Sequence, residues 1–204
     1  MQRWKTAVPM MLLCLLLSAC GGTEDQMQEA LQFRTGLLGA QSCQFIADIT
    51  AQGESEVFEC TLQCTVTSDG TAAVTVLAPE EVAGIAATVT DDGAEIQFEN
   101  VHLDFGELSG SVSPMGTPGL LYAAWTGGYI AAAGSEDNGM LARYLVGTGS
   151  EELQIDTWFD VSGAPVVCEV VEDGAVVIRC ELRDWSLGDN NSEVSPKIEN
   201  PEEN

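Results

Sequence analysis

A single histidine, His102, stands among 204 residues, and lysine and arginine together number 7 against 32 aspartates and glutamates. One histidine leaves no room for a His-based catalytic triad alongside a His metal site. Serine never falls in a G-x-S-x-G elbow, so the usual anchor of an α/β-hydrolase is missing. No C-x-x-C pair exists: Cys60 and Cys64 are four apart, and their alternation with polar neighbours points both into a core, which disfavours a zinc site. Gly147-Thr148-Gly149-Ser150 is rich in glycine, but neither a lysine nor a helical pattern follows, which excludes a phosphate loop. The acidic pairs Glu80-Glu81, Asp91-Asp92 and Glu151-Glu152 sit at turns and strand starts, where acids are solvated, rather than across a cleft as glycosidase chemistry needs. His102 lies between Val101 and Leu103 in an alternating stretch and reads as a partly exposed strand residue. No catalytic residue, metal site or cofactor is expected.

Long apolar runs are also missing, save one at the start. Arg3 and Lys5 precede an apolar stretch from Ala7 to Leu17 that ends in Leu17-Ser18-Ala19-Cys20. A membrane span needs roughly 20 apolar residues, so this stretch is the core of a signal peptide. Leucine three positions before the cut, then Ser-Ala-Cys, is a lipobox. Cysteine is required there because its thiol becomes a thioether to diacylglycerol before cleavage. Each buried methylene contributes about 0.8 kcal/mol, so two acyl chains such as palmitate anchor stably where one is marginal. Residues 1–19 therefore read as a lipoprotein signal peptide and 20–23 as a lipidated linker. The rest would lie outside the cytoplasm, on the outer face of the cytoplasmic membrane or on the outer membrane of a two-membrane host.

Removing residues 1–19 takes away Arg3 and Lys5 but no acid, leaving 32 acids against 5 bases in 185 residues. Such a chain is long enough for one domain with a sizeable core. Its charge serves solubility and repels nucleic acid and anionic headgroups alike. Besides Cys20, the cysteines are Cys43, Cys60, Cys64, Cys168 and Cys180, an odd number that does not look like a disulfide framework.

Thr23-Glu24-Asp25-Gln26 has the form of a capping box. Met27, Ala30, Leu31, Leu37 and Leu38 then predict a helix over 24–38 that packs on something, with Gly39 ending it. From Cys43 the period becomes two. Cys43, Phe45, Ala47 and Ile49 alternate with polar residues, as do Phe58, Cys60, Leu62, Cys64 and Val66. Further strand patterns run over 71–77, 85–90, 94–99, 140–147, 152–159, 165–171 and 175–185. Asp69-Gly70, Asp92-Gly93 and Asp173-Gly174 punctuate them as hairpin turns, so the sheet is an antiparallel meander. Between the strand blocks a second helix is expected from a Thr117 cap and Pro118, carrying Leu120, Leu121, Ala124, Trp125 and Tyr129 and ending near Gly134. Residues 136–139 read as a loop. Residues 187–204, Asn- and Glu-rich with Pro196 and Pro201, read as a disordered acidic tail.

Alternation also constrains the turns, because a hairpin must place both apolar sets on one face. Val166, Cys168 and Val170 must face with Val176, Ile178, Cys180 and Leu182. That requires an odd loop, Glu172-Asp173-Gly174 with Gly174 left-handed, and sets Cys168 opposite Ile178. The same logic gives a three-residue loop Ser68-Asp69-Gly70 and a two-residue loop Asp92-Gly93. A two-residue turn at Gly53-Glu54 would set Cys43 opposite Cys64. These two are either a disulfide or, the favoured reading, reduced core thiols.

The order of elements resembles a known family. A helix leads into Ser42-Cys43-Gln44-Phe45-Ile46-Ala47-Asp48, then Ala78-Pro79 and a Thr90-Asp91-Asp92-Gly93 hairpin. The chain closes with Leu153-Gln154-Ile155-Asp156-Thr157-Trp158-Phe159-Asp160, Gly163-Ala164-Pro165-Val166, Glu172-Asp173-Gly174 and a last strand. Over residues 24–186 this is similar to the LolA family of lipoprotein carriers and its relatives, the LppX-type lipid-binding lipoproteins and a LolA-like clostridial spore germination lipoprotein. The resemblance implies a mainly β (α+β) fold, a large bent antiparallel sheet or half-barrel with two or three helices on its concave face. It implies an apolar ligand site lined by Phe45, Leu62, Val74, Ile96 and Ile155, with Leu121 and Trp125 on the covering helix. Carriers of this family have an arginine after the proline matching Pro79, thought to latch the helical lid. Here Glu80-Glu81-Val82 follow, with no basic residue nearby. Carriers are also soluble, whereas this chain carries an anchor signal, and both departures argue against shuttling.

The reading that results is a membrane-anchored, non-enzymatic lipoprotein binding a lipid or other apolar molecule in a half-barrel. The alternative is a scaffold holding a cell-envelope protein, such as a wall or spore-cortex enzyme. The space beneath residues 117–133 separates them: several hundred Å3 of open apolar cavity favours lipid, and a filled core favours scaffolding.

Overall fold

The structure, a computed structural model, describes residues 22–53, 56–90, 93–98, 101–105, 112–136, 139–149 and 152–188. Its elements are α1 (Gly22–Gly39), β1 (Ser42–Gln52), β2 (Val57–Thr67), β3 (Ala72–Ala78), a 3-10 turn (Glu80–Val82), β4 (Ala86–Thr90), β5 (Gly93–Phe98) and β6 (Val101–Phe105). They continue with α2 (Thr117–Gly127), β7 (Tyr129–Glu136), β8 (Gly139–Val146), β9 (Leu153–Phe159), β10 (Pro165–Glu172) and β11 (Ala175–Gly188). The described strands form one antiparallel sheet in the order β6-β5-β4-β3-β2-β1-β11-β10-β9-β8-β7, open at β6 and β7. The two halves of the chain are separate meanders, joined where β1 pairs with β11. This is a half-barrel with helices on its inner face, the fold class expected from the sequence.

The inner face follows the period-two reading. Phe45, Ala47 and Ile49 of β1, Leu62, Cys64 and Val66 of β2, and Cys180 and Leu182 of β11 are all buried, while their alternate neighbours point outward. Alanines and cysteines are common on this floor: Ala47, Ala72, Ala87 and Ala142 join the five thiols. Bulk comes from the helices and from a few aromatic residues.

Three expectations about register are corrected, each for a local reason. Gln52 pairs with Val57 and Gly53 N–H donates to Glu56 C=O, so Gly53 belongs to the ladder and not to the turn of the first hairpin. Cys43 then lies opposite Val66 and Cys64 opposite Phe45, not opposite one another, and both thiols are free. The β10–β11 turn is two residues, with Asp173 (φ 51°) and Gly174 (φ 80°) both left-handed, as a type I′ hairpin demands. A bulge between Val170 and Val171 supplies the extra residue that parity required, and it places Cys168 directly opposite Cys180 rather than Ile178. Thr90 pairs with Gly93, so Gly93 opens β5 rather than lying in the expected Asp92-Gly93 turn. The Ser68-Asp69-Gly70 loop does have three residues, with Gly70 at φ 88° and Asp69 Oδ1 accepting from the Thr67 hydroxyl and Thr71 N–H.

The helices also differ from expectation. α1 starts within the expected linker, and Gln26 Oε1 is buried without a donor, so the capping box is not made. Its inward stripe is Met27, Ala30, Phe33 and Leu37, whereas Leu31 and Leu38 are exposed. Thr117 does not cap α2: its hydroxyl donates back to Ser113 C=O, and the residue at the cap position is Gly116. α2 ends at Gly127, not near Gly134. Gly128 takes an extended conformation while its N–H reaches Ala123 and Ala124 C=O, and a Cβ there would stand 2.6 Å from Ala124 O. The chain then becomes β7, the edge strand, with Ile130 and Ala133 turned inward. β11 runs to Gly188, two residues into the expected tail; the rest of the tail, and Cys20 with the signal segment, lie outside the described residues.

Candidate functional site

The inner face is closed by α1 and α2, and aromatic rings do the filling. Trp125 of α2 is fully buried and meets Phe33 of α1 edge-on at 5.7 Å, Phe45 at 6.3 Å and Trp185 at 5.5 Å. Phe33 also packs against Phe159 at 4.8 Å, and Phe45 stacks on Trp185 at 5.7 Å. Trp185 reaches this cluster because of a backbone irregularity. Asp184 stands at φ 56° where the β1–β11 register slips between Gln44 and Ile46, and the slip turns an odd-numbered side chain onto the face held by Ile178, Cys180 and Leu182. Edge-to-face aromatic pairs of this kind are worth about 0.5–1.5 kcal/mol each beyond their buried area.

Polar atoms inside the cluster are few and mostly paired. Trp125 Nε1 donates to Thr157 Oγ1 at 3.0 Å, and the Cys168 thiol meets the same oxygen at 3.6 Å. The Tyr144 hydroxyl is the exception, buried with no partner, and burial raises its pKa.

The element missed by sequence reading is Arg34. From α1 it reaches the end of α2, where Nε donates to Trp125 C=O at 2.7 Å and Nη2 to Gly128 C=O at 2.5 Å, with Ala124 C=O at 3.5 Å from Nη2. The last carbonyls of a helix have no partners of their own and carry its negative dipole end, so a guanidinium there satisfies both needs. Its plane also lies 5.9 Å from the centre of the Tyr144 ring. Arg34 thus ties α1 to the end of α2. The separation of some ninety residues, and a position inside a helical stripe that looked merely polar, hid it.

The seven expected lining residues come together, but as core. Phe45, Leu62, Val74, Leu121, Trp125 and Ile155 are buried and Ile96 half-buried against the same cluster. None of them lines the clefts at Phe33–Asp160, at Asp69–Leu120, at Trp158–Val167 or at Asp48–Pro79.

The five thiols belong to the same interior. Burial pushes Cys43 and Cys168 up to about 12 and raises Cys64 and Cys180 strongly. Cys60 is raised by burial and by the nearby Asp48 carboxylate. Thiols so protonated are neither nucleophiles nor ready metal ligands, and no cluster fit for a metal occurs among the described residues. His102 falls in β6 opposite Gln97. The outer face carries the other arginines among the described residues, each ion-paired: Arg143 with Asp156 (2.8 Å), Arg179 with Glu169 and Arg183 with Asp48 (3.1 Å). Such half-exposed pairs contribute about 0–1 kcal/mol each. No described helix is long and apolar enough to cross a membrane.

No protein-family model and no curated protein matches the sequence. Among solved structures, the chain is similar to a LolA superfamily protein from Nitrosomonas europaea, with 13% identity over 82% of this chain and 94% of that one, at a TM-score of 0.43. A putative outer membrane lipoprotein-sorting protein domain from Vibrio parahaemolyticus aligns at 10% identity over 83% and 95%, TM-score 0.45. The Mycobacterium tuberculosis lipoprotein LppX aligns at 13% identity over 79% and 93%, TM-score 0.39. At these identities and overlaps the likeness is one of fold outline.

Proposed function

We propose that this protein is an exported lipoprotein, cut before Cys20, tethered by diacylglycerol on that sulfur, and serving as a non-catalytic scaffold for another protein of the cell envelope. The observation that carries the scaffold reading is the filled interior. Trp125, Leu121 and Phe33 occupy the space beneath the helices where a carried lipid would lie. The acids with lowered pKa support the non-catalytic part. Asp48 (Thr61 hydroxyl, then Arg183), Asp69 (Thr67, then Thr71) and Asp160 (Ser162, then Ala164 and Gly163) are each held ionised by turn or ladder partners, so none is a carboxyl of raised pKa that could serve as a general acid. Tethering follows from Leu17-Ser18-Ala19-Cys20. Mass spectrometry of the protein extracted from its native membrane should give an N-terminal Cys20 carrying diacylglycerol; an intact residue 1–19 segment would remove the anchor from the account. A photo-crosslinking residue placed in turn at exposed positions should capture one discrete partner in intact cells. Recovery of the lipoprotein alone from every position would end the scaffold reading.

One observation favours a second reading, in which an apolar ligand enters when α2 lifts. The end of α2 is fastened by one guanidinium and by the Trp125–Thr157 hydrogen bond, and the floor beneath is apolar and rich in alanine and cysteine, so displacing α2 would uncover a wide apolar trough. A fluorescent fatty acid should then bind Arg34→Ala far better than the wild type. If neither takes it up, the second reading is lost.

A further inference from the structure

A cavity of about 610 Å3 opens at the rim, over the edge of the buried cluster. One wall is the first half of α1, which contributes Gln26 and Glu29; the other is the loop after β9, which contributes Asp160 and Val161. Phe33, Met140 and Phe159 form its floor.

Its chemistry is two-sided. The floor is apolar and rigid, since Met140 and Phe159 belong to the core and Phe33 is packed between Trp125 and Phe159. The rim holds two carboxylates and no cation. Among the described residues every arginine is engaged elsewhere, Arg34 on α2 and the other three on the outer face. Asp160 stays ionised, because the Ser162 hydroxyl and then the Ser162 and Ala164 N–H groups hold its carboxyl below the usual range. Gln26 adds a hydrogen-bonding deficit: its Oε1 is buried without a donor, and rotation of the amide into the groove would give it one. Val161 is 86% exposed at the lip, an apolar side chain that no described residue covers. Beside the groove runs β7, the last strand of the sheet, whose outer backbone groups face no described strand.

An anionic lipid headgroup would be repelled by this rim, and a purely apolar ligand would leave Gln26, Glu29 and Asp160 unanswered. We infer that the groove seats an extended segment of a partner protein in which a lysine or arginine neighbours a bulky apolar residue. The cation sits between Glu29 and Asp160, the apolar side chain rests on Phe33 and Phe159, and backbone N–H groups reach Gln26 or the β7 edge. The inference rests on the scaffold reading and names its docking site.

The test uses the full mature chain in detergent and fluorescently labelled, N-acetylated hexapeptides containing a Lys-Phe pair, with Glu-Phe and Lys-Gly peptides as controls. Fluorescence anisotropy should give at least tenfold tighter binding for Lys-Phe than for either control. Glu29→Lys should weaken it at least tenfold, while Glu152→Lys, the same charge change at the far end of the sheet, should alter it less than twofold. Equal binding of all three peptides, or equal effects of the two substitutions, would overturn the assignment by reducing it to general attraction to an acidic protein. Absence of binding would also overturn it. Should the peptides fail while crosslinking in cells still captures a discrete partner, the docking site is wrong and the scaffold stands; failure of both removes the scaffold too.

Discussion

Replacing Arg34 by alanine removes two well-formed hydrogen bonds, to Trp125 and Gly128 C=O, and a weaker one to Ala124 C=O. Each charge-assisted bond is worth about 1.5–3 kcal/mol. A cation at a helix C-terminus adds about 0.3–1 kcal/mol, and more when partly buried. Contact with the Tyr144 ring contributes about 0.5–1 kcal/mol. These contributions overlap, and water replaces part of them because Arg34 is half-buried, so the net cost is about 3 kcal/mol. For a domain of this size, about 2–4 °C is lost per kcal/mol, which places the drop in Tm near 6–12 °C. Lysine should recover less than half of the loss, since an ammonium is a point charge and cannot serve both carbonyls in a fork. The assay is urea unfolding followed by tryptophan fluorescence, with hydrogen exchange of residues 117–127 read alongside. The exchange readout matters because a latch should loosen α2 more than the sheet. A loss below about 0.5 kcal/mol, or equal protection of α2 in variant and wild type, would refute the latch.

The remaining predictions concern packing, thiols and acid. Gly139→Ala would put a Cβ 1.9 Å from Phe159 O and should cost at least about 2 kcal/mol, whereas Gly36→Ala, with open space in an exposed helix, should stabilise by about 0.5–1 kcal/mol; urea midpoints decide both. Cys43, Cys60, Cys64, Cys168 and Cys180 should resist a thiol reagent at pH 8 in the native state and all react after denaturation, with Cys60, which lines the cleft beside Asp48 and Pro79, going first. Rapid labelling of Cys168 or Cys180 would contradict their burial. Asp160 has a folded pKa below its unfolded value, so its stabilisation is present above the unfolded value and is lost as pH falls through the folded one. The stability gap between wild type and Asp160→Asn should therefore close on acidification from about pH 5 towards pH 2, and a gap independent of pH would dismiss the charge as its source.

Strand positions were legible because a half-buried sheet enforces period two, and Cys43 to Ile49 or Cys60 to Val66 leave no other reading. Register was legible at only one of the hairpins, because parity fixes whether a loop is odd or even but not where it starts. The Ser68–Gly70 turn fits parity, while the bulge at Val170–Val171 silently adds one residue and moves Cys168 from Ile178 to Cys180. β7 was hidden because Tyr129–Glu136 is mostly small residues, which suit a helix pattern as well as an edge strand, and only the Gly127-Gly128 pair marks the change. The aromatic cluster was half legible: Phe45 and Trp125 were singled out, but Trp185 faces inward only through the irregularity at Asp184, and Phe33 shares its helix with exposed leucines. Arg34 and the rim groove depend on how α1 lies across the sheet, which no local pattern encodes.

Native mass spectrometry of the mature protein, gently extracted from its own membrane, tests the central claim most directly. A half-barrel filled by Trp125, Leu121 and Phe33 predicts the mass of the chain with its covalent diacylglycerol and nothing more. A second, non-covalent lipid at stoichiometric occupancy, lost on denaturation, would contradict it.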